Sequence, residues 1–183
     1  MTFITLLTLL LSMNTHSNPI ILFDFNESSN INSWYIVDDV VMGGRSSGNM
    51  KLSQDGNGIF EGTVSLENNG GFSSVRHRFK PIDVKKVNTV AIRLKGDGSA
   101  FQFRIKNNSS DYYSYIFEFK TSKEWETIYI PLNEMYPGFR GRKLNFPNFD
   151  QTSIEEVAFL IANKVPQSFK LEIDKIELVQ KEE

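Results

Sequence analysis

The residues that could carry chemistry in this chain are few, and their spacing limits what each can do. Asp38-Asp39 is the most conspicuous acidic pair. Adjacent residues on an extended segment point to opposite sides, so the two cannot face each other across a substrate as paired acid–base carboxylates must. The preferred reading makes one of them the cap of a turn into Met42-Gly43-Gly44. A cation held by carboxylate and carbonyl oxygens is the alternative. His77 shares its parity with Val75 and Phe79 within residues 72–79, which marks a structural histidine rather than a general base. The other histidine, His16, lies in the apolar N-terminal region, and no nucleophile-elbow sequence is present. The chain has no cysteine, which excludes disulfides, thiolate zinc sites and cysteine nucleophiles. No enzyme activity, cofactor or metal is expected from these residues.

Other motifs point to binding. Gly43-Gly44 lacks the Lys-Ser/Thr of a phosphate loop and the third glycine of a dinucleotide fingerprint, so it reads as a tight turn with close backbone approach. Asn68-Asn69-Gly70-Gly71 reads as a hairpin turn tolerant of positive φ, or as a loop whose amides line a recognition surface. Arg140-Gly141-Arg142 puts two guanidinium groups on a loop after Phe139, suited to carboxylates and aromatic stacking if they are not merely solvated. Gln102, Arg104 and Lys106 share one face of a strand. Gln102 and Arg104, with Arg93, Tyr112 and Tyr113, could form a sugar-binding groove; a plain solvated face is the other reading.

The elements that must position these residues are strands. Residues 20–25 form a short apolar run, and residues 58–66 alternate with Phe60, Val64 and Leu66 on one face. Val90, Ile92 and Leu94 alternate with polar residues, as do Phe101, Phe103 and Ile105, then Tyr115, Phe117 and Phe119. Residues 125–132, 157–162 and 169–179 complete the series. Period-two patterning separated by Asn/Gly/Asp turns predicts an all-β jelly-roll sandwich. The last run changes phase between Ile173 and Ile176, which predicts a β-bulge near Asp174-Lys175. Short helical turns are expected around residues 132–135 and 153–156, and the charged tail Lys181-Glu182-Glu183 is expected to protect a sheet edge.

The bulk numbers fit one domain of 183 residues, with 40% hydrophobic and 23% charged residues, the balance of a soluble globular protein. A net charge of −2 with dispersed Lys and Arg gives no electrostatic case for nucleic acid. Residues 3–13 are an apolar run of signal-peptide length, too short to span a bilayer, although the n-region has no Lys or Arg. Residues 1–18 are therefore expected to be a cleaved export signal, followed by a single domain over 19–180. A periplasmic or secreted protein with no stable membrane insertion follows.

Taken together, Trp34, the run Asp38-Asp39-Val40-Val41-Met42-Gly43-Gly44-Arg45-Ser46, and the segment 60–76 with VSLENNGGFSSVR resemble the complex I intermediate-associated protein 30 family. Segments 93–98, 139–142, 160–164 and 169–173 add to the likeness, which covers about residues 20–179. The resemblance implies a galactose-binding-like jelly roll, related in architecture to carbohydrate-binding modules. It also implies a protein that binds, as the mitochondrial members bind intermediates of respiratory complex I during assembly, with no catalytic set to transfer. A protein partner is expected, and a glycan is the alternative ligand. The candidate surface comprises Trp34, Asp38, Asp39, Met42, Arg45, Asn68, Asn69, Phe72, Arg76, Arg104, Arg140 and Arg142.

Overall fold

A computed structural model describes residues 18–182, apart from the side chains of Val41 and Met42. The leader expected over 1–18 lies, but for Asn18, outside these residues. The chain order is β1 (Ile20–Asp24), β2 (Trp34–Asp38), β3 (Ser47–Leu52), β4 (Gly58–Val64), β5 (Ser73–Asp83), β6 (Thr89–Gly96) and β7 (Ala100–Lys106). Then follow β8 (Ser114–Lys120), β9 (Glu126–Pro131), β10 (Tyr136–Phe139), β11 (Arg142–Lys143), β12 (Ser153–Ile161) and β13 (Gln167–Val179). They form two antiparallel sheets. One has the order β3-β4-β13-β6-β9, with β1 also on β13; the other runs β11-β10-β8-β7-β12-β5-β2. This is the β-sandwich jelly roll expected from the alternation.

β13 organises the first sheet. Its first half pairs with β4, and its second half pairs with β1. Its register against β6 shifts between Ile173 and Lys175, which is the bulge that the phase change predicts. The extra residue returns Ile176 and Leu178 to the core beside Leu171 and Ile173, all fully buried. Facing them, the second sheet contributes Val75, Phe103, Ile105, Val157, Phe159 and Ile161. Phe101 from this sheet meets Phe169 from the other edge-on at 6.3 Å, and Phe169 packs on Phe60 at 4.8 Å. Each such buried ring contributes about 2–3 kcal/mol.

Some expectations need correction. Residues 153–156 open β12 instead of forming a helical turn, because Ile154 is needed in the core and pairs with Ile82 of β5. The turn around 132–135 is present as a short 3-10 segment over Leu132–Glu134. Asn68-Asn69-Gly70-Gly71 does not close a hairpin. β4 and β5 belong to different sheets, so these residues cross from one sheet to the other. The positive φ expected there is found at Asn68 (55°), Asn69 (61°) and Gly71 (140°). The tail leaves β13, an interior strand, but Lys181 reaches the edge strand β9 and sets its ammonium 3.8 Å from the centre of the Tyr129 ring.

Candidate binding groove

On the outer face of the seven-stranded sheet, alternation turns the polar set of each strand away from the core. β5 contributes Arg76, β7 contributes Gln102, Arg104 and Lys106, and β8 contributes Ser114 and Glu118. Small residues keep the middle low: Gly138 of β10 pairs directly with Ser114. The loops before β5 and after β10 bring Asn69, Phe72 and Arg140 to its edges, with Phe139 at the end of β10 and Tyr112 beside them. The result is a groove of about 670 Å³. Arg142 borders a smaller depression that continues from it, together with Tyr136 and Lys143.

A chain of hydrogen bonds runs along the floor. Arg104 donates from Nε (3.0 Å) and Nη2 (2.5 Å) to Oε1 of Gln102. Gln102 donates from Nε2 to Glu118 at 2.8 Å, and the Tyr136 hydroxyl donates to the same carboxylate oxygen at 3.1 Å. Arg104 thus rests on a neutral amide oxygen with no carboxylate against it. Burial in the groove, and then the charge of Arg76, pull the pKa of Arg104 down to about 10. Lys106 is also displaced downward, first by burial, and its ammonium donates to the Asp111 carbonyl.

At one end of the face Glu156 is buried. It accepts from Arg78 Nε at 2.7 Å and from the Tyr35 hydroxyl at 3.0 Å. Burial, then the Glu156 charge, push the Tyr35 phenol up to about 12. Arg76 is only loosely tied to Glu156, at 3.8 Å, and its Nε is buried with no hydrogen-bond partner. Arg76 thus has a long ion pair with Glu156, and Arg104 has no direct hydrogen bond to a carboxylate, with Glu118 beyond Gln102.

The acidic pair does something the sequence reading missed. Neither residue caps the turn over Asp39–Met42; Asp38 occupies the cap position without a side-chain hydrogen bond to it. Asp39 is buried and clasps two loops together. Its carboxylate accepts from Ser46 N (3.0 Å), Ser46 Oγ (2.5 Å), Gly71 N (2.6 Å) and Phe72 N (3.2 Å). Burial opposes its charge, but the bonds from Ser46, Gly71 and Phe72 outweigh this and hold its pKa below the ordinary value. Both of its oxygens are committed to these donors, which leaves neither for the cation considered at this residue. Gly44 and Gly70 lie against the same carboxylate; a Cβ at Gly70 would fall 2.6 Å from Oδ2. The DDVVMGG and ENNGGF segments are thus two halves of one clasp that sets Phe72 and Asn69 at the groove rim.

The remaining sequence-selected residues separate. Trp34 is not on a surface: it lies in the core, with its ring stacked on His77 at 5.0 Å and beside Phe23 and Phe25. It pairs across from His77 on inward-facing positions of β2 and β5. His77 itself donates from Nδ1 to the Ser33 carbonyl, and burial lowers its pKa, as befits a neutral structural imidazole. Asp38 accepts from Gly48 N under the loop. Arg45 is exposed and paired with Glu67, and Asn68 donates to the Gly43 carbonyl. The side chain of Met42 is outside the described atoms. Arg93 belongs to the other sheet, where it pairs with Asp174 and lies over Trp125. Tyr113 packs against Tyr115 and Phe146 instead of opening onto the groove. Among the described residues no group of three or more His, Asp or Glu side chains is placed to hold a metal, and no helix is long and apolar enough to cross a membrane.

Fold and groove define the class first: a jelly-roll module with the architecture of carbohydrate-binding modules. A family 11 module from Clostridium thermocellum is similar with a TM-score of 0.68 at 20% identity, covering 90% of this chain and 97% of that one. The chain belongs to the complex I intermediate-associated protein 30 family, whose model matches residues 23–173. It is 24% identical over 177 residues to the mitochondrial complex I intermediate-associated protein 30 of Mus musculus, covering 84% of this chain and 54% of that protein. The protein of the same name from Drosophila melanogaster is 22% identical over 144 residues, covering 67% of this chain and 49% of that one. The chain thus spans about half the length of the curated relatives it matches.

Proposed function

We propose that this chain is a non-catalytic binding protein, acting like an assembly factor by holding part of a protein partner in the groove of the seven-stranded sheet. The observation that carries the reading is the construction of the groove. The loop before β5 is fixed by the Asp39 clasp at the edge of a face of donors, and a pre-organised face binds with less loss of conformational freedom. The reading draws support from membership of a family whose relatives are named for association with complex I intermediates. Which complex this chain serves is part of the proposal, as is a periplasmic or secreted setting, which rests on the apolar run over residues 3–13.

The test is affinity capture from the native compartment with the wild-type chain and with Phe72→Ala/Tyr112→Ala, which trims the rim. A defined protein recovered by the wild type and reduced about tenfold or more by the double variant supports the reading. Equal recovery by both removes the groove from the account.

A second reading, a glycan-binding module, is favoured by one observation: Tyr112 at the rim is 59% exposed, on a fold shared with a module described in complex with a β-1,3-1,4-mixed-linked tetrasaccharide. Saturable binding of a neutral oligosaccharide, lost in Tyr112→Ala, would establish it in place of the first.

A further inference from the structure

The groove's charge is out of proportion to that of the chain. Arg76, Arg104, Lys106, Arg140 and Lys164 line it, against Glu118 in the lining and the buried Glu156 beside Arg76, in a protein whose formal net charge is −2. Like charges gathered over a partly desolvated floor repel one another unless a counter-charge lies between them. The counter-charge on the floor is partial: Arg104 donates to the Gln102 amide oxygen with Glu118 beyond it, and Arg76 keeps a 3.8 Å ion pair with Glu156 while its Nε has no hydrogen-bond partner. Guanidinium groups match carboxylates in planar, two-point geometry.

We propose that the groove selects a carboxylate-rich, extended peptide segment of a protein partner, an inference that rests on the protein-binding reading above. The five strands beneath it, β10 to β5, span roughly 19 Å, the length of about five or six extended residues. Two of the rings beside the groove already carry a cation. The Phe139 ring carries the Arg140 guanidinium at 5.2 Å, and the Tyr136 ring carries the Lys143 ammonium at 5.3 Å. Tyr112 stands edge-on to both Phe139 and Tyr113. The cations on these rings are exposed, and they add to the attraction for acidic side chains along the rim.

The experiment is fluorescence anisotropy of a labelled oligoglutamate peptide titrated with the full chain at low and at raised salt. Oligolysine, oligogalacturonate and a neutral mixed-linkage tetrasaccharide are the comparison probes. Binding of oligoglutamate that weakens as salt is raised is expected. A loss of about 10- to 100-fold is expected in Arg76→Gln/Arg104→Gln. Because the floor arginines also pack, Arg140→Asn is measured in parallel. It lies on an exposed loop at φ 49°, a conformation Asn accepts, and a loss of severalfold is expected without a change in melting temperature. Binding of oligogalacturonate but not oligoglutamate overturns the proposal in favour of an acidic glycan. Binding of neither, or binding indifferent to the arginines, also overturns it. If oligoglutamate fails while partner capture still depends on Phe72 and Tyr112, the charge selectivity falls and the protein-binding reading stands. If both fail, that reading falls too.

Discussion

Asp39→Ala is expected to destabilise the fold by about 3–5 kcal/mol, measured by urea denaturation, although it lies at the surface end of the sandwich. The carboxylate accepts four hydrogen bonds from Ser46, Gly71 and Phe72. Its removal leaves those donors unpaired in a space too confined for full rehydration. Asp39→Asn keeps one acceptor oxygen but turns an NH₂ toward N–H groups, and about 2 kcal/mol is expected. Asp38→Ala removes only the bond from Gly48 N and should cost about 1 kcal/mol or less. The pH dependence follows from the lowered pKa of Asp39. The unfolded chain takes up its proton first, near 3.8, so the contribution is present above that pH and is lost as pH falls through the lower folded value. The stability gap between wild type and Asp39→Asn should therefore narrow below about pH 4. In the folded fraction, loosening of Asn69 and Phe72 should also weaken groove binding.

Phe159→Ala is the second large effect, again about 3–5 kcal/mol. The ring is fully buried on β12, 5.3 Å from Phe103 and 6.5 Å from Trp34. Its strand neighbours, Phe103 on β7 and Val75 on β5, are themselves fully buried, so the space vacated cannot readily be refilled. Calorimetry gives the loss, and Trp34 emission should change in the native baseline because the ring stacked nearby is gone. The variant should retain groove affinity when measured well below its melting temperature, since residues 158 and 160, not 159, face the outer side of β12. That separates core damage from site damage, which Asp39→Ala combines.

Much of this architecture was legible because it rests on alternation. Val90, Ile92 and Leu94, or Phe101, Phe103 and Ile105, declare their strands, and the phase change after Ile173 declares the bulge. The strands that went unread are those whose pattern is masked. β3 is a polar edge strand in which Met50 and Leu52 are only partly buried, β10 contains Pro137 and Gly138, and β2 ends in the acidic pair. The polar face of Gln102, Arg104 and Lys106 was visible for the same reason as the core. A groove there was one of two readings; which residues close it was not legible, because that depends on which strands become neighbours. Arg93 has the same sequence appearance as Arg104 yet falls in the opposite sheet. Trp34 misled because an aromatic beside a distinctive motif reads as a binding residue, whereas its parity with His77 buries it. The motif's role as a clasp could have been suspected from two glycine pairs spaced around a single acidic doublet. The partner loops, however, are some thirty residues apart in sequence (Asp39 to Gly71 and Phe72), a closure that local reasoning does not supply.

The most direct test of the groove as the binding site is paired photo-crosslinking in the presence of native partners. A photoreactive side chain replaces Tyr112 at the rim in one protein and Tyr129 on the opposite sheet in another; the two positions are 59% and 48% exposed. The groove account predicts a discrete crosslinked protein from position 112 and only background from position 129, with the 112 product competed away by unlabelled wild-type chain. A specific product from position 129 with none from position 112 would contradict it.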